Sequence, residues 1–173
     1  STGQDESFPG GFTIRAEKCP NRRGVEEIIE GIAGPLVTFD ALLPMIAQQS
    51  IDAAEAGAAI IHLHARNPSD GRPTPDPEIF MQFLPTIRDG CDAVINITTG
   101  GGHGMSLDER LAAPLRASPE MCSLNMGSMN FGLFPMLQRY DEFRYDWERV
   151  HLENSRDFIF RNTFKDIEHV LET

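Results

Sequence analysis

The chain has 173 residues, enough for one domain with a real core but short of the about 250 usual for a closed eight-stranded barrel of alternating strands and helices. Lys and Arg number 15 against 26 Asp and Glu, a formal net charge of −11 that opposes docking onto nucleic acid or an anionic membrane surface. Three cysteines, Cys19, Cys91 and Cys122, form no CxxC pair, and no run approaches the roughly 18 apolar residues of a membrane span, so a soluble protein in a reduced cytoplasm is expected.

The first residues are polar and carry no apolar core of a signal peptide. Pro9-Gly10-Gly11, Pro20-Asn21 and Gly34-Pro35 mark turns, and VEEIIEGI predicts a short helix around Gly24 to Gly31. From Leu43 the pattern sharpens. A helix with Ile46, Ile51 and Ala54 at near-helical spacing ends at Gly57, and AAIIHLHAR follows as a short β-branched strand. Pro77 to Arg88 reads as a helix despite Pro85, and DAVINITT is a second strand opening into Gly100-Gly101-Gly102. Ser106 with Glu109 forms a capping pattern for a helix to Arg116. MCSLNM is a third strand, running into Gly127-Ser128-Met129-Asn130. The rest, from about Phe134, is mostly helical and ends on an apolar stripe of Phe164, Ile167, Val170 and Leu171. Strands alternating with helices predict an α/β fold on a parallel sheet, with its chemistry in the loops after the strands.

His62-Leu63-His64 carries the most chemical information. Side chains alternate along a strand, so the two histidines share one face while Leu63 takes the other. Two imidazoles one strand period apart can converge on one ion, and the other reading is a hydrogen-bonded structural pair; the end of a buried parallel strand favours the metal. Asn96 and Thr98 occupy one face of the second strand opposite Ile95 and Ile97, and Ser123 and Asn125 repeat the device on the third. Buried polar groups on a strand need partners or a ligand, at a cost of roughly 1–3 kcal/mol each when unmet. The triple glycine is either an anion cradle or, more commonly, a plain turn. Asp70-Gly71-Arg72-Pro73 reads as a turn, with Arg66 or Arg72 in reach of an anion. His103 reads as a loop residue, His151 and His169 as surface groups, and Tyr140, Phe143, Tyr145 and Trp147 as helix packing.

AGAAIIHLHARNPSDGRPTPD, DAVINITTGG and PEMCSLNMGSMNFG, in this order and spacing, resemble the β-keto acid cleavage enzyme family over about Leu43 to Thr173. The resemblance implies a (β/α)₈ barrel, here about half of one, with a divergent segment over 1–40 and a partial barrel domain over 41–173. It implies a divalent metal, usually zinc, held by His62 and His64, and a homo-oligomer, a tetramer in the family. It places Thr98, Gly100, Gly101, Ser128 and Asn130 against the substrate. The implied reaction exchanges acyl units between a β-keto acid and acetyl-CoA, giving acetoacetate and a new acyl-CoA. The family's third ligand, a Glu, and its catalytic Asp and Arg belong to an Arg-x-Gly-x-Glu-Asp motif that this sequence lacks, so no base is assigned and weak metal binding with little turnover is expected. Two other readings remain: a metal-dependent barrel hydrolase of amidohydrolase type, and a non-catalytic remodelled half-barrel that binds or assembles.

Overall fold

The computed structural model describes residues 44–102 and 104–173 in full; before them it gives the backbone alone, for strands β1 (Phe12–Lys18) and β2 (Glu27–Gly31) and for residues 39–43. The turns expected at 9–11, 20–21 and 34–35, together with Cys19 and His103, lie outside the described residues. Onward from β2 the order is α1 (Phe39–Glu55), β3 (Ala58–Leu63), α2 (Pro77–Phe80), α3 (Leu84–Gly90), β4 (Val94–Ile97), α4 (Leu107–Ala117) and β5 (Met121–Cys122). Then come β6 (Met129–Asn130), α5 (Asp146–Asn154), β7 (Ile159–Phe160) and α6 (Phe164–Glu172).

The main sheet runs β2-β1-β3-β4-β5. Strands β3, β4 and β5 are parallel, as the alternation with helices implies, and their register sets His62 beside Asn96 and Leu63 beside Ile97. The other half of the sheet departs from that expectation. β1 runs antiparallel to β3, with Arg15 opposite His62, and β2 runs antiparallel to β1. The helix expected over Gly24 to Gly31 is therefore wrong at its described end: Glu27–Gly31 is a strand. The adjacent β-branched Ile28 and Ile29 suit an extended chain, and a partner strand supplies ladder hydrogen bonds that a short isolated helix lacks.

Helix α1 begins four residues before Leu43 and carries Pro44 through its second turn, where the missing N–H costs a single bond. The helix expected over 77–88 is split in two. Asp76 caps α2 by accepting the Glu78 N–H, the chain turns at 81–83, and Pro85 sits in the first turn of α3, where its missing N–H has no helical partner to lose. The Ser106/Glu109 capping box forms as read, and Thr163/Asp166 makes a second one on α6. Each box holds its carboxylate below the usual range, chiefly through the backbone N–H of its cap residue.

The core lies between the sheet and its helices. Ile61 and Leu63 of β3 and Ile95 and Ile97 of β4 are at most 1% exposed and pack under Ile46 of α1 and under Phe80, Phe83, Leu84 and Ile87. Each such side chain contributes about 1.5–3 kcal/mol by leaving water. With alternate residues committed to this layer, Ile60, His62, Asn96 and Thr98 face away from it. That opposite face carries the chemistry.

The last forty residues are less helical than expected. Two 3₁₀ turns, Phe134–Gln138 and Ser155–Asp157, flank α5, and β7 pairs antiparallel with β6, Met129 opposite Phe160. The predicted stripe of α6 is only partly used: Ile167 is buried while Phe164 and Leu171 are 87% and 70% exposed. Among the described residues no helix is long and apolar enough to cross a membrane.

Candidate active site

The parallel register places His62 and Asn96 side by side, and Asn96 Oδ1 lies 3.0 Å from His62 Nδ1. An amide oxygen only accepts, so Nδ1 carries the proton and the lone pair of His62 stays on Nε2. Nε2 of His64 stands 3.0 Å from it, with the two rings edge to face at 4.8 Å. Two nitrogens about 2.05 Å from one ion, subtending roughly 90–110°, are about 2.9–3.4 Å apart. The pair therefore fits two imidazole ligands of a single divalent ion, with Asn96 as the outer partner that orients one of them.

Although His64 is an exposed residue, its charged form is disfavoured. Its pKa falls to about 4, first through desolvation and then through repulsion by His62 and Arg66. It is neutral at physiological pH, the form that ligates a metal. Among the described residues no three His, Cys, Asp or Glu groups converge, so the two histidines stand without a third protein ligand there. Replacing Asn96 with alanine is expected to weaken zinc affinity by roughly 10–100-fold with the fold intact, and Asn96→Asp to restore it, as read by competition with a chromophoric chelator.

Past β4 the chain turns over the site. Thr98 Oγ1 accepts the Gly100 N–H at 2.9 Å, leaving its own hydroxyl hydrogen to donate elsewhere. The Gly102 N–H points to Met105 Sδ at 3.1 Å, and the Ser106 N–H to the Glu109 carboxylate at 2.7 Å. With those donors engaged, the triple glycine serves as a closely packed turn. A Cβ on Gly101 would come within 2.7 Å of Met105 Sδ and 2.8 Å of Arg110 Cγ.

His64, Thr98, Gly100 and Gly101 line a cavity of about 510 Å³. Its far wall is apolar and aromatic, formed by Phe131, Met136, Tyr140, Phe143, Trp147 and Phe158. Tyr140, Phe143 and Trp147 thus belong to the cavity rather than to helix packing alone, and Trp147 meets His151, another lining residue, edge to face at 5.7 Å. Their spacing offered no signal for this, because the segment reaches the site through tertiary contacts with the 66–73 loop. Trp147 Nε1 donates to Asp70 O at 2.7 Å, Arg72 lies 5.4 Å over the Trp147 ring, and Gly71, at φ +71°, takes the Tyr145 ring edge where a Cβ would sit 2.9 Å away. The turn expected over Asp70–Pro73 falls two residues earlier, at 68–70, where the Gly71 N–H donates to Asn67 O at 2.8 Å, and Asp70 Oδ1 accepts the Arg72 N–H at 3.0 Å. Arg66 lines the cavity and donates to Gly71 O, while Arg72 pairs with Asp70 at 3.4 Å. His169 is at the surface as expected, 3.4 Å from Asp108.

Ser128 and Asn130 stand apart from that cavity. Ser128 Oγ accepts the Asn162 N–H at 3.0 Å, and Asn130 pairs in β6 and borders a second hollow with Gly132 and Ser155. Two residues not anticipated as part of the site, Arg110 and Asn162, are 8% and 3% exposed and lie between the loops. A single polar residue within a helix or after a strand gives no sign in sequence of the partner it will find.

The family model for β-keto acid cleavage enzymes matches residues 43–173, a span that includes every site residue described above. A 3,5-dioxohexanoate:acetyl-CoA acetone transferase of Paraburkholderia graminis is 62% identical over 133 residues, which cover 75% of this chain and 43% of the relative. A 3-keto-5-aminohexanoate cleavage enzyme of Fusobacterium nucleatum is 47% identical over 88 residues, covering 50% and 32%. A 3-dehydrocarnitine:acetyl-CoA trimethylamine transferase of Rhizobium meliloti is 31% identical over 125 residues, covering 58% and 42%. The chain spans less than half the length of these relatives. It belongs to the β-keto acid cleavage enzyme family.

Proposed function

We propose that this chain forms part of a zinc-dependent β-keto acid cleavage enzyme built on a (β/α)₈ barrel, of which the β3-β4-β5 sheet and its helices would be one portion. The observation that carries the reading is the His62–His64 pair, its Nε2 atoms 3.0 Å apart and one ring oriented by Asn96, beside a cavity lined by His64 and Thr98. In the reaction a β-keto acid, R–CO–CH₂–COO⁻, and acetyl-CoA give R–CO–S–CoA and acetoacetate. One carbon–carbon bond breaks beside the ketone, one forms at the acetyl carbonyl, and the CoA thiolate changes acyl partner.

His62 and His64 would hold the metal, which when bound supplies a Lewis acid for the ketone oxygen. The neutral state of His64 keeps its lone pair available for that role. Thr98 presents a hydroxyl whose acceptor side is engaged by Gly100, which leaves it a donor suited to a carboxylate or enolate oxygen. The resemblance puts Gly100 and Gly101, which line the cavity, beside the substrate and adds Ser128 and Asn130 as contacts from the neighbouring loop. The aromatic wall would exclude water around the acyl chain. The 3,5-dioxohexanoate named for the Paraburkholderia relative is the first substrate to try, and the family resemblance implies a homo-oligomer.

The test is acetyl-CoA-dependent formation of acetoacetate from 3,5-dioxohexanoate by the purified, zinc-loaded chain. Formation that stops on chelation and returns with zinc supports the reading. Zinc retained without any acyl exchange over a panel of β-keto acids refutes it for this chain.

A further inference from the structure

We infer that Arg110 and Asn162 are positioning residues that latch the loop bearing Ser128 and Asn130 to the glycine loop after β4. The inference rests on the function proposed above, because that reading puts both loops against the keto acid.

Arg110, in α4, is a nearly buried cation whose two hydrogen-bond acceptors are both neutral, with the Asp166 carboxylate acting on it through its charge. Its Nη1 donates to Arg161 O at 3.1 Å and its Nη2 to Asn162 Oδ1 at 2.6 Å, while the guanidinium lies 4.9 Å over the Phe160 ring. Its Nε is buried with no hydrogen-bond partner. Such an arrangement accepts the desolvation of a charge for two directed bonds to one short segment, 161–162.

Asn162 relays those bonds. Arginine only donates, so the amide oxygen must face Arg110, and the amide nitrogen is turned to Asn125 O at 2.9 Å. The backbone N–H of Asn162 donates to Ser128 Oγ at 3.0 Å. One side chain and its own N–H thereby hold both ends of the 125–128 segment. The bond to Ser128 also uses an acceptor site of that hydroxyl and leaves its hydrogen to donate, the polarity a substrate carboxylate requires. On its other side the stem of Arg110 is the surface on which Gly101 rests, since a Cβ there would meet Cγ at 2.8 Å and Cδ at 3.1 Å. One residue thus sets the distance between the two candidate substrate loops. Lysine cannot replace it, because a single ammonium does not reproduce the fork that reaches the Arg161 and Asn162 oxygens together.

The experiment compares Arg110→Lys and Asn162→Asp with the parent chain by hydrogen–deuterium exchange, zinc titration and binding of acetoacetate to the zinc-loaded protein. Asn162→Asp keeps an oxygen for Arg110 and removes the donor to Asn125 O, so it opens the latch in a chain that keeps its buried ion contact. Exchange over 125–130 is expected to rise by roughly tenfold or more in both variants, with β3, β4 and zinc affinity unchanged and acetoacetate binding weakened about tenfold. Unchanged exchange at 125–130 in Asn162→Asp overturns the inference, as does an equal loosening of β3 and β4, which would make the pair a general stabiliser. A parent chain that takes up zinc but no acetoacetate overturns the proposed function instead, and the exchange comparison then decides the latch by itself.

Discussion

Chains carrying His62→Ala or His64→Ala are expected to lose zinc affinity by on the order of 100-fold or more, beyond the loss from removing an outer partner such as Asn96. The reason is geometric. Each Nε2 lies 3.0 Å from the other, so either ring alone leaves one imidazole where two had converged. The folds should survive, since both side chains stand on the face opposite the core while Ile61 and Leu63 hold the strand. Metal content after dialysis, with circular dichroism on the same samples, separates the outcomes. Full zinc in either variant would remove the histidine pair from the site. Loss in both with unchanged helix content would leave the pair as the only described source of metal affinity.

The second large effect falls on stability. Leu63→Ala is expected to cost about 2–5 kcal/mol, a fall in Tm of roughly 5–20 °C for a chain of this size. Leu63 is 1% exposed and lies between the two histidines in sequence, on the other face, within the core cluster that also holds Phe80, Phe83 and Ile97. Removing it leaves a cavity directly beneath the strand that carries the ligands, so zinc affinity should weaken along with the melt. Leu63→Met, nearly equal in volume, should cost less than about 1.5 kcal/mol and keep the metal. Thermal unfolding followed with and without zinc measures both. A change in Tm of under a degree or two in Leu63→Ala would mean that β3 is not a core strand.

What was legible in the sequence was local. Alternation alone puts His62 with His64 and Asn96 with Thr98, because side chains along a strand change face at every residue. The Ser106/Glu109 box and the bend that Asp70 makes with Arg72 were legible for the same reason: each is closed by residues two or three positions apart. The segment at 27–31 was misread because an apolar run that short suits helix or strand equally, and the choice was made by β1, a partner some fifteen residues away. The 77–88 helix was misread as continuous because Pro85 is compatible with either a kink or a new first turn.

The sequence by itself determined which side chains can do chemistry, the face of the strand they occupy and the family they belong to. Only the tertiary structure decided which groups meet. Asn96 finds His62 through strand register across thirty-four residues, Arg110 finds Asn162 across fifty-two, and Trp147 reaches the Asp70 carbonyl across seventy-seven. Such contacts leave no periodic trace, because each depends on where separate elements pack and not on the spacing of neighbours along one of them. The pairing of a strand and the packing of a helix are settled by the burial of Ile61, Leu63, Ile95 and Ile97 against the helices, and the polar partners on the other face fall into place as its consequence.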